Sequence, residues 1–266
     1  MHQDRLTELT EIALEAAEEA AAGVMTGYRS GVEASEKARS DLVTRFDFES
    51  ERLLRARLTE RTGLSVVGEE EGGAPSGPTW YLDPIDGTTN FVHGHPFFCV
   101  SVGLLDGGEP LAGAVVAPAL GTRYWGFAGG GALRDGKPCR PSQTRELSQA
   151  LLATGFHPAS HWQPPHDNVD SFAALLPACR GIRRCGSAAL DVCLVAEGTY
   201  DGYWERKLSI WDTAAAAAIA LAAGARITDL AGGPPELAIG HLVISNGLIH
   251  DALVAALGAP PASRTP

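Results

Sequence analysis

Three acidic clusters, each joined to an apolar run, constrain this chain more than any other feature. Gly68-Glu69-Glu70-Glu71 follows LSVV directly, and Asp83-Pro84-Ile85-Asp86-Gly87-Thr88-Thr89-Asn90 follows TWYL. Trp211-Asp212-Thr213 stands immediately before an Ala-rich run. Carboxylates at the ends of buried strands repel one another unless protonation or a cation neutralises them. Taken singly, two of the clusters have structural alternatives: Glu69–Glu71 as a solvated turn, and Asp212 as the N-cap of the following helix. DPIDGTTN leaves less room for such an alternative, because a turn rarely combines two spaced Asp, a Pro and a hydroxyl pair.

All-oxygen donors without neighbouring His or Cys select a hard divalent ion, Mg²⁺ or Mn²⁺, over zinc. Pro84 fixes the backbone, so Asp83 and Asp86 can turn toward one point and the Ile85 carbonyl is free as a further ligand. Gly87 to Asn90 reads as a turn into a helix, and a helix N-terminus is an anion site. With two or three Mg²⁺ between the carboxylates and that turn, the site becomes electropositive and suits a phosphate.

That reading settles a conflict of charge. The 266 residues carry 32 acidic and 21 basic side chains, a net charge of −11. So negative a surface argues against non-specific nucleic-acid binding, which needs clustered Lys and Arg. Metals, not basic side chains, would attract an anionic substrate. Apolar residues at 45% and charged residues at 20% exclude disorder and coiled coil. Five cysteines (Cys99, Cys139, Cys179, Cys185 and Cys193) without CxxC spacing fit a reduced chain better than a disulfide framework or zinc site. MHQDRLTELTEI has no signal pattern, and the longest apolar run, Ala214 to Ala225, falls short of the roughly 20 residues that cross a bilayer. The expectation is a soluble, cytoplasmic protein without membrane contact.

Hydrophobic spacing predicts amphipathic helices over 6–28 and 47–61, with a mobile polar loop between them at Gly31–Ser40. Short β-like runs follow at 64–68, 79–83, 97–105, 111–117 and 122–128, separated by Gly-rich turns. The second half alternates: strand 150–155, helix 167–178, a strand near 182, helix 187–197, strand 200–204, helix 212–223, strands 225–228 and 242–246, and helix 248–257. No linker separates independent domains, so 1–266 reads as one mixed α/β unit in two fused halves, 1–140 and 141–266. The Pro-rich tail at 259–266 reads as frayed. His157, His161 and His166, beside Trp162, read as a solvated loop, and His93 and His95 as packing residues rather than ligands.

GEE at 68–70, DPIDGTTNFVHGHPFFCVSVG at 83–103 and WDTAAA at 211–216 resemble the three metal motifs of the inositol monophosphatase family. DLVTRFD at 41–47 is similar to that family's segment after its mobile loop, and GSAALD at 186–191 to its substrate-side motif. Lys37, flanked by Glu33, Glu36 and Arg39, stands near the position of a lysine in the family's mobile loop. The resemblance runs from about residue 6 to 257, and it implies a layered α-β-α-β-α sandwich.

It also implies a Mg²⁺-dependent phosphomonoester hydrolase with two- or three-metal activation of a water for in-line attack on phosphorus. Glu69, Asp83 and the Ile85 carbonyl would hold a first ion, and Asp83, Asp86 and Asp212 a second. A third would lie near Glu69. Thr88, oriented by Asp47, would help deprotonate the attacking water, and the Gly87 and Thr88 amides would cradle the phosphate. Gly186, Ser187 and Ala188 would line the polyol pocket, with Glu205 as a hydroxyl ligand. The alternative for Glu205 is a surface pair with Arg206 or Lys207. Inositol 1-phosphate is the leading substrate, and lithium sensitivity and a homodimer are further implications. The same motifs serve histidinol phosphate, fructose 1,6-bisphosphate or 3′-phosphoadenosine nucleotides. A regulatory binding protein of the same fold is the alternative from another class.

Overall fold

The computed structural model describes residues 1–38, 41–156 and 168–258. The chain opens with α1 (Gln3–Met25), whose Leu6, Leu9, Ile12, Ala13, Ala16, Ala20 and Val24 repeat at helical spacing and are all buried. A hairpin of β1 (Ala34–Ala38) and β2 (Asp41–Thr44) leads into α2 (Arg45–Thr62). Thr44 caps α2, and Gly63 ends it with a left-handed φ of 67° that a side chain would oppose.

Seven strands follow in near-sequential order: β3 (Ser65–Gly68), β4 (Thr79–Asp86), β5 (Cys99–Asp106), β6 (Glu109–Ala117), β7 (Thr122–Phe127), β8 (Gly131–Arg134) and β9 (Lys137–Pro138). The short α3 (Thr88–Val92) sits between β4 and β5. They form one sheet in the order β3-β4-β5-β6-β7-β8-β9, antiparallel throughout except for the β3–β4 pair. The remaining elements are β10 (Leu151–Thr154), α4 (Val169–Leu175), β11 (Gly181–Arg183), α5 (Ala188–Ala196), β12 (Gly202–Glu205), α6 (Ile210–Ala223), β13 (Arg226–Thr228), β14 (Leu242–Ser245) and α7 (His250–Leu257). Their strands form a second sheet, β11-β10-β12-β14-β13, in which β10 runs parallel to both neighbours.

The layers follow from which faces are apolar. Helices α1 and α2 cover one face of the larger sheet, packing Leu9, Leu54 and Leu58 against Trp80, Leu82 and Val102. Helices α5 and α6 fill the space between the sheets, and α4 and α7 close the outer face of the smaller one over Leu152, Trp204 and Val243. The result is the α-β-α-β-α sandwich. No helix among the described residues is long and apolar enough to cross a membrane.

The Ala-rich composition of α6 has a packing cause. Gly103 of β5 and Gly113 of β6 are register partners, and a Cβ at either would run into the backbone of Ala214 and Ala215. Small residues on both sides let the helix axis lie close to the sheet.

Several element boundaries differ from the sequence expectation, which does not include β8 and β9; three of the differences have a local cause. Gly31–Ser40 contains a strand, because Ala34 to Glu36 find ladder partners on β2. Helix α4 ends at Leu175, two residues before Pro177, which has no N–H with which to continue the helical hydrogen bonds. Helix α6 begins at Ile210, so Trp211 and Asp212 lie inside it. The histidines at 157, 161 and 166 with Trp162, and the tail from 259, lie outside the described residues.

In an open strand Gly→Ala is stabilising. Here Gly113→Ala is expected to lower unfolding free energy by about 1–3 kcal/mol, since the added methyl displaces α6. A urea titration checks this: the midpoint falls while the slope is retained.

Candidate active site

The DPID segment reaches the site through a β-bulge. Residues three apart on a regular strand point to opposite faces. Between Asp83 and Asp86, however, β4 carries one more residue than β5, so that Asp83 pairs with Ser101 and Asp86 with Cys99. The extra residue returns both carboxylates to one side. Pro84 makes this cheap, having no N–H to withhold from a ladder. The Asp83 Oδ1 accepts the Ile85 N–H at 3.0 Å, closing the turn.

Three other acids are fixed at helix N-termini. Asp47, third in α2, accepts the Thr44 N–H and hydroxyl at 2.8 and 2.7 Å. Its other oxygen accepts the Thr88 hydroxyl at 3.1 Å. Asp86 accepts the Ala188 and Ala189 N–H groups at 3.2 and 2.7 Å and the Ser187 hydroxyl at 2.6 Å, all from the start of α5. Asp212 occupies the third position of α6 and accepts the Ser209 N–H at 2.7 Å. Ser209, not Asp212, is therefore the N-cap. Each position sets a negative charge against the positive end of a helix.

Glu69 is held differently. The GEE turn is clamped from below by Glu51 of α2, whose fully buried carboxylate accepts the Glu70 and Glu71 N–H groups at 2.7 and 3.0 Å and Arg55 at 2.9 Å. Gly68 lies so close to Glu51 that no Cβ would fit. From above, Lys37 of β1 donates to Glu69 at 2.8 Å and to Glu70 at 2.5 Å. The turn is thus not simply solvated, although Glu71 at its end is exposed and pairs with Arg52.

These residues line one cleft of about 470 Å³. Its described lining includes seven carboxylates (Asp41, Glu69, Asp83, Asp86, Asp191, Glu205 and Asp212) against two cations, Lys37 and Arg184. Burial pushes Asp83 well above the usual carboxylate range, and Glu69, Asp86 and Asp212 push it further. Asp212 is raised well above its range for the same reasons, burial first and then Asp86 and Glu69. Burial also raises Asp86, opposed by the donors from α5, and Glu69, opposed by Lys37.

Such mutual repulsion is what a hard divalent cation relieves. The donor set is all oxygen, which fits Mg²⁺ or Mn²⁺. The acids are not already drawn around one point among the described residues, because Glu69 leans to Lys37, Asp86 to α5 and Asp212 to Ser209. Asp83 is the least committed, with Ile85 N–H its one donor among the described residues.

The cleft brings together all the residues singled out from the sequence except Asp47, which reaches it through Thr88. Gly87 adopts φ 98° and Gly186 φ 87°. A Cβ on Gly87 would sit 3.0 Å from the Gly186 carbonyl, so two left-handed turns meet back to back. Asn90 ties them, donating to the Phe97 and Cys185 carbonyls at 2.6 and 2.8 Å. Glu205 is no surface residue: it is 6% exposed, accepts the Tyr203 hydroxyl and is pushed up to about 7 by burial. The end of a buried strand, not the charges beside it, decides its place. His93 and His95 are exposed rather than packed, and His95 Nδ1 accepts the Phe97 N–H at 3.3 Å. Arg184, Asp191 and Glu51 escaped the sequence reading. Asp191 ends the GSAALD motif and could have been found there, whereas Glu51 carries no local signal.

Five layers with acids gathered where strand ends and helix N-termini meet are the frame of a phosphoric monoester hydrolase of the layered α/β type. The chain belongs to the inositol monophosphatase family, which it matches over residues 5–259. It is 42% identical over 247 residues to the inositol-1-monophosphatase SuhB of Mycobacterium tuberculosis, covering 87% of this chain and 83% of that protein. It is 36% identical over 256 residues to the inositol-1-monophosphatase of Synechocystis, covering 94% and 89%. The solved inositol monophosphatase from Anabaena superposes with a TM-score of 0.89 at 37% identity, covering 98% of this chain and all of that one.

The raised carboxyls set a pH dependence. Between about 4.5 and about 7 the folded chain retains a proton on Glu205 that the unfolded chain has released. This contribution to stability is present below about 4.5 and is lost as pH rises through about 7. His250, pushed down to about 4 by burial, acts in the opposite sense: its contribution is lost as pH falls through that value. Glu205→Gln removes only the first effect. In the presence of chelator, the variant is expected to gain stability over the parent as pH rises through this window, by on the order of 3 kcal/mol. Calorimetric melting across that range reads it.

Proposed function

We propose that the chain hydrolyses inositol 1-phosphate with Mg²⁺ held by Glu69, Asp83, Asp86, Asp212 and the Ile85 carbonyl. The observation that carries this reading is the convergence, on one cleft, of four mutually repelling acids and the buried Glu205. Two ions, with a third near Glu69, would shield the phosphate oxygens and lower the proton affinity of the attacking water.

The chain's own residues do the rest. Thr88 donates its hydroxyl proton to Asp47 at 3.1 Å or to the Ile85 carbonyl at 3.0 Å, which leaves its lone pairs to orient a water in the cleft. Burial raises the Asp47 carboxyl, so it can take up a proton relayed through that hydroxyl. The Gly87 and Thr88 amides cradle the phosphate, and the close Gly87–Gly186 contact keeps that turn in place. Gly186, Ser187 and Ala188 form the wall against which the leaving alcohol lies. Glu205 accepts a hydrogen bond from one of its hydroxyls.

A homodimer, lithium inhibition and a cytoplasmic location belong to the same reading. So does the expectation of no direct nucleic-acid partner.

Asp83→Asn is expected to cut kcat by about 10³-fold or more while the protein stays folded, because the substitution removes a buried charge that would help hold the ions. Circular dichroism and phosphate release from inositol 1-phosphate read the two effects, and near-parental turnover would sink the assignment. A panel of inositol 1-phosphate, histidinol phosphate, fructose 1,6-bisphosphate and 3′-phosphoadenosine 5′-phosphate tests the substrate. Inositol 1-phosphate is expected to give the highest kcat/KM. Preference for another member moves the pocket and keeps the metals. Glu205→Ala is expected to shift the order within this panel.

A further inference from the structure

Asp191 is a buried acid of the cleft that no hydrogen bond within the described chain explains. It is 1% exposed and lines the cleft, yet its buried Oδ1 has no hydrogen-bond partner among the described residues. A buried carboxylate oxygen without a donor is costly, and native structures satisfy nearly all such groups. The described residues supply no donor for it, and it stands in the wall of a cleft open to a ligand.

The position says what kind of donor. Asp191 is three and four residues on from Ala188 and Ser187, so it shares with them the face of α5 that borders the cleft. Glu205, Gly155, Phe156 and Arg184 line the same cleft. Burial raises the carboxyls of both Asp191 and Glu205, and the Arg184 guanidinium lowers both, so it lies within electrostatic reach of the two. Glu205 has the Tyr203 hydroxyl for one oxygen, whereas the Asp191 Oδ1 has no partner among the described residues. A cationic group placed between the acids would face Arg184. Neutral hydroxyls suit all three, donating to the carboxylates and accepting from the guanidinium.

We propose that Asp191 is a specificity-determining residue whose unpaired carboxylate oxygen receives a second hydroxyl of the leaving alcohol, beside the one bound by Glu205. The cleft then selects phosphate esters of polyols that present at least two free hydroxyls close to the ester. The inference rests on the polyol-phosphate reading of the site and adds to it a residue and a hydroxyl count.

The test compares kcat/KM for inositol 1-phosphate with that for p-nitrophenyl phosphate, whose leaving group offers no free hydroxyl. The parent, Asp191→Ala and Asp191→Asn are measured with Mg²⁺ present, and their melting temperatures without substrate. In Asp191→Ala the ratio of the two kcat/KM values is expected to fall by about 10- to 100-fold, as for a lost hydrogen bond to a charged group. The fall should lie mainly in KM for inositol 1-phosphate. Asp191→Asn keeps a neutral acceptor and is expected to fall less, by about 3- to 10-fold. Its melting temperature is expected to rise, because an unpaired buried charge has gone. Should Asp191→Ala fail to fold, Asp191→Asn decides alone on these two readouts. An unchanged ratio, or a melting temperature that falls while both substrates suffer equally, overturns the proposal. A parent that turns over p-nitrophenyl phosphate but not inositol 1-phosphate overturns the polyol reading itself, and this inference with it.

Discussion

Mutual repulsion among buried carboxylates is the constraint on which the rest of the structure depends. Asp83, Asp86, Glu69 and Asp212 raise one another's proton affinity across a single cleft, and a fold that held them there without compensation would expel them to water. The compensation is largely backbone. Asp47, Asp86 and Asp212 each rest at the N-terminus of a different helix, α2, α5 and α6, where unpaired N–H groups and the helix dipole favour negative charge. The middle helix layer brings two of those termini to the bulged end of β4. The close packing of α6 on Gly103 and Gly113 sets how near Asp212 comes to Asp86.

The turns around this centre are braced in proportion to their charge. Glu51 and Arg55 clamp the GEE turn from within the outer helix layer, and Asn90 stitches the DGTTN turn to the Cys185–Gly186 turn. None of these residues need meet a substrate to matter: a site with two charges misaimed by an ångström loses the electrostatic preorganisation on which phosphoester hydrolysis relies. The raised carboxyls also show where stability has been sacrificed. Core packing in three apolar clusters offsets the cost of ionising them, so the cleft can remain tense at neutral pH.

Much of the architecture was legible locally. The 3.6-residue repeat of Leu6 to Val24 specifies α1, and the apolar runs with Gly turns specify β3 to β7, because periodicity is a property of short segments. Helix ends were harder. Asp212 reads in sequence as the N-cap of the helix that follows, but the helix starts one turn earlier, so Ser209 is the cap and Asp212 the third helical residue. The hairpin at 34–44 was invisible because both strands are short and β1 is polar and exposed over 34–37, so no alternation marks it. For Glu205 the sequence leaves a surface pair with Arg206 or Lys207 as the alternative to a pocket position; its register on β12, opposite Leu242 of β14, and its burial remove that alternative.

The amino-acid sequence by itself determined the chemical inventory: oxygen donors in three clusters, a Pro and a Gly shaping the turn between two of them, and a surplus of negative charge that calls for cations. These are matters of residue identity and spacing within a few positions, and a linear chain displays them. Tertiary structure alone decided which acids meet and what remains unpaired when they do. Glu51 lies 18 residues before Glu69, Asp191 is 14 residues before Glu205, and Ser187 is 101 residues after Asp86. Proximity between such positions depends on how layers stack, and burial converts that proximity into shifted proton affinities and an acceptor waiting for a donor.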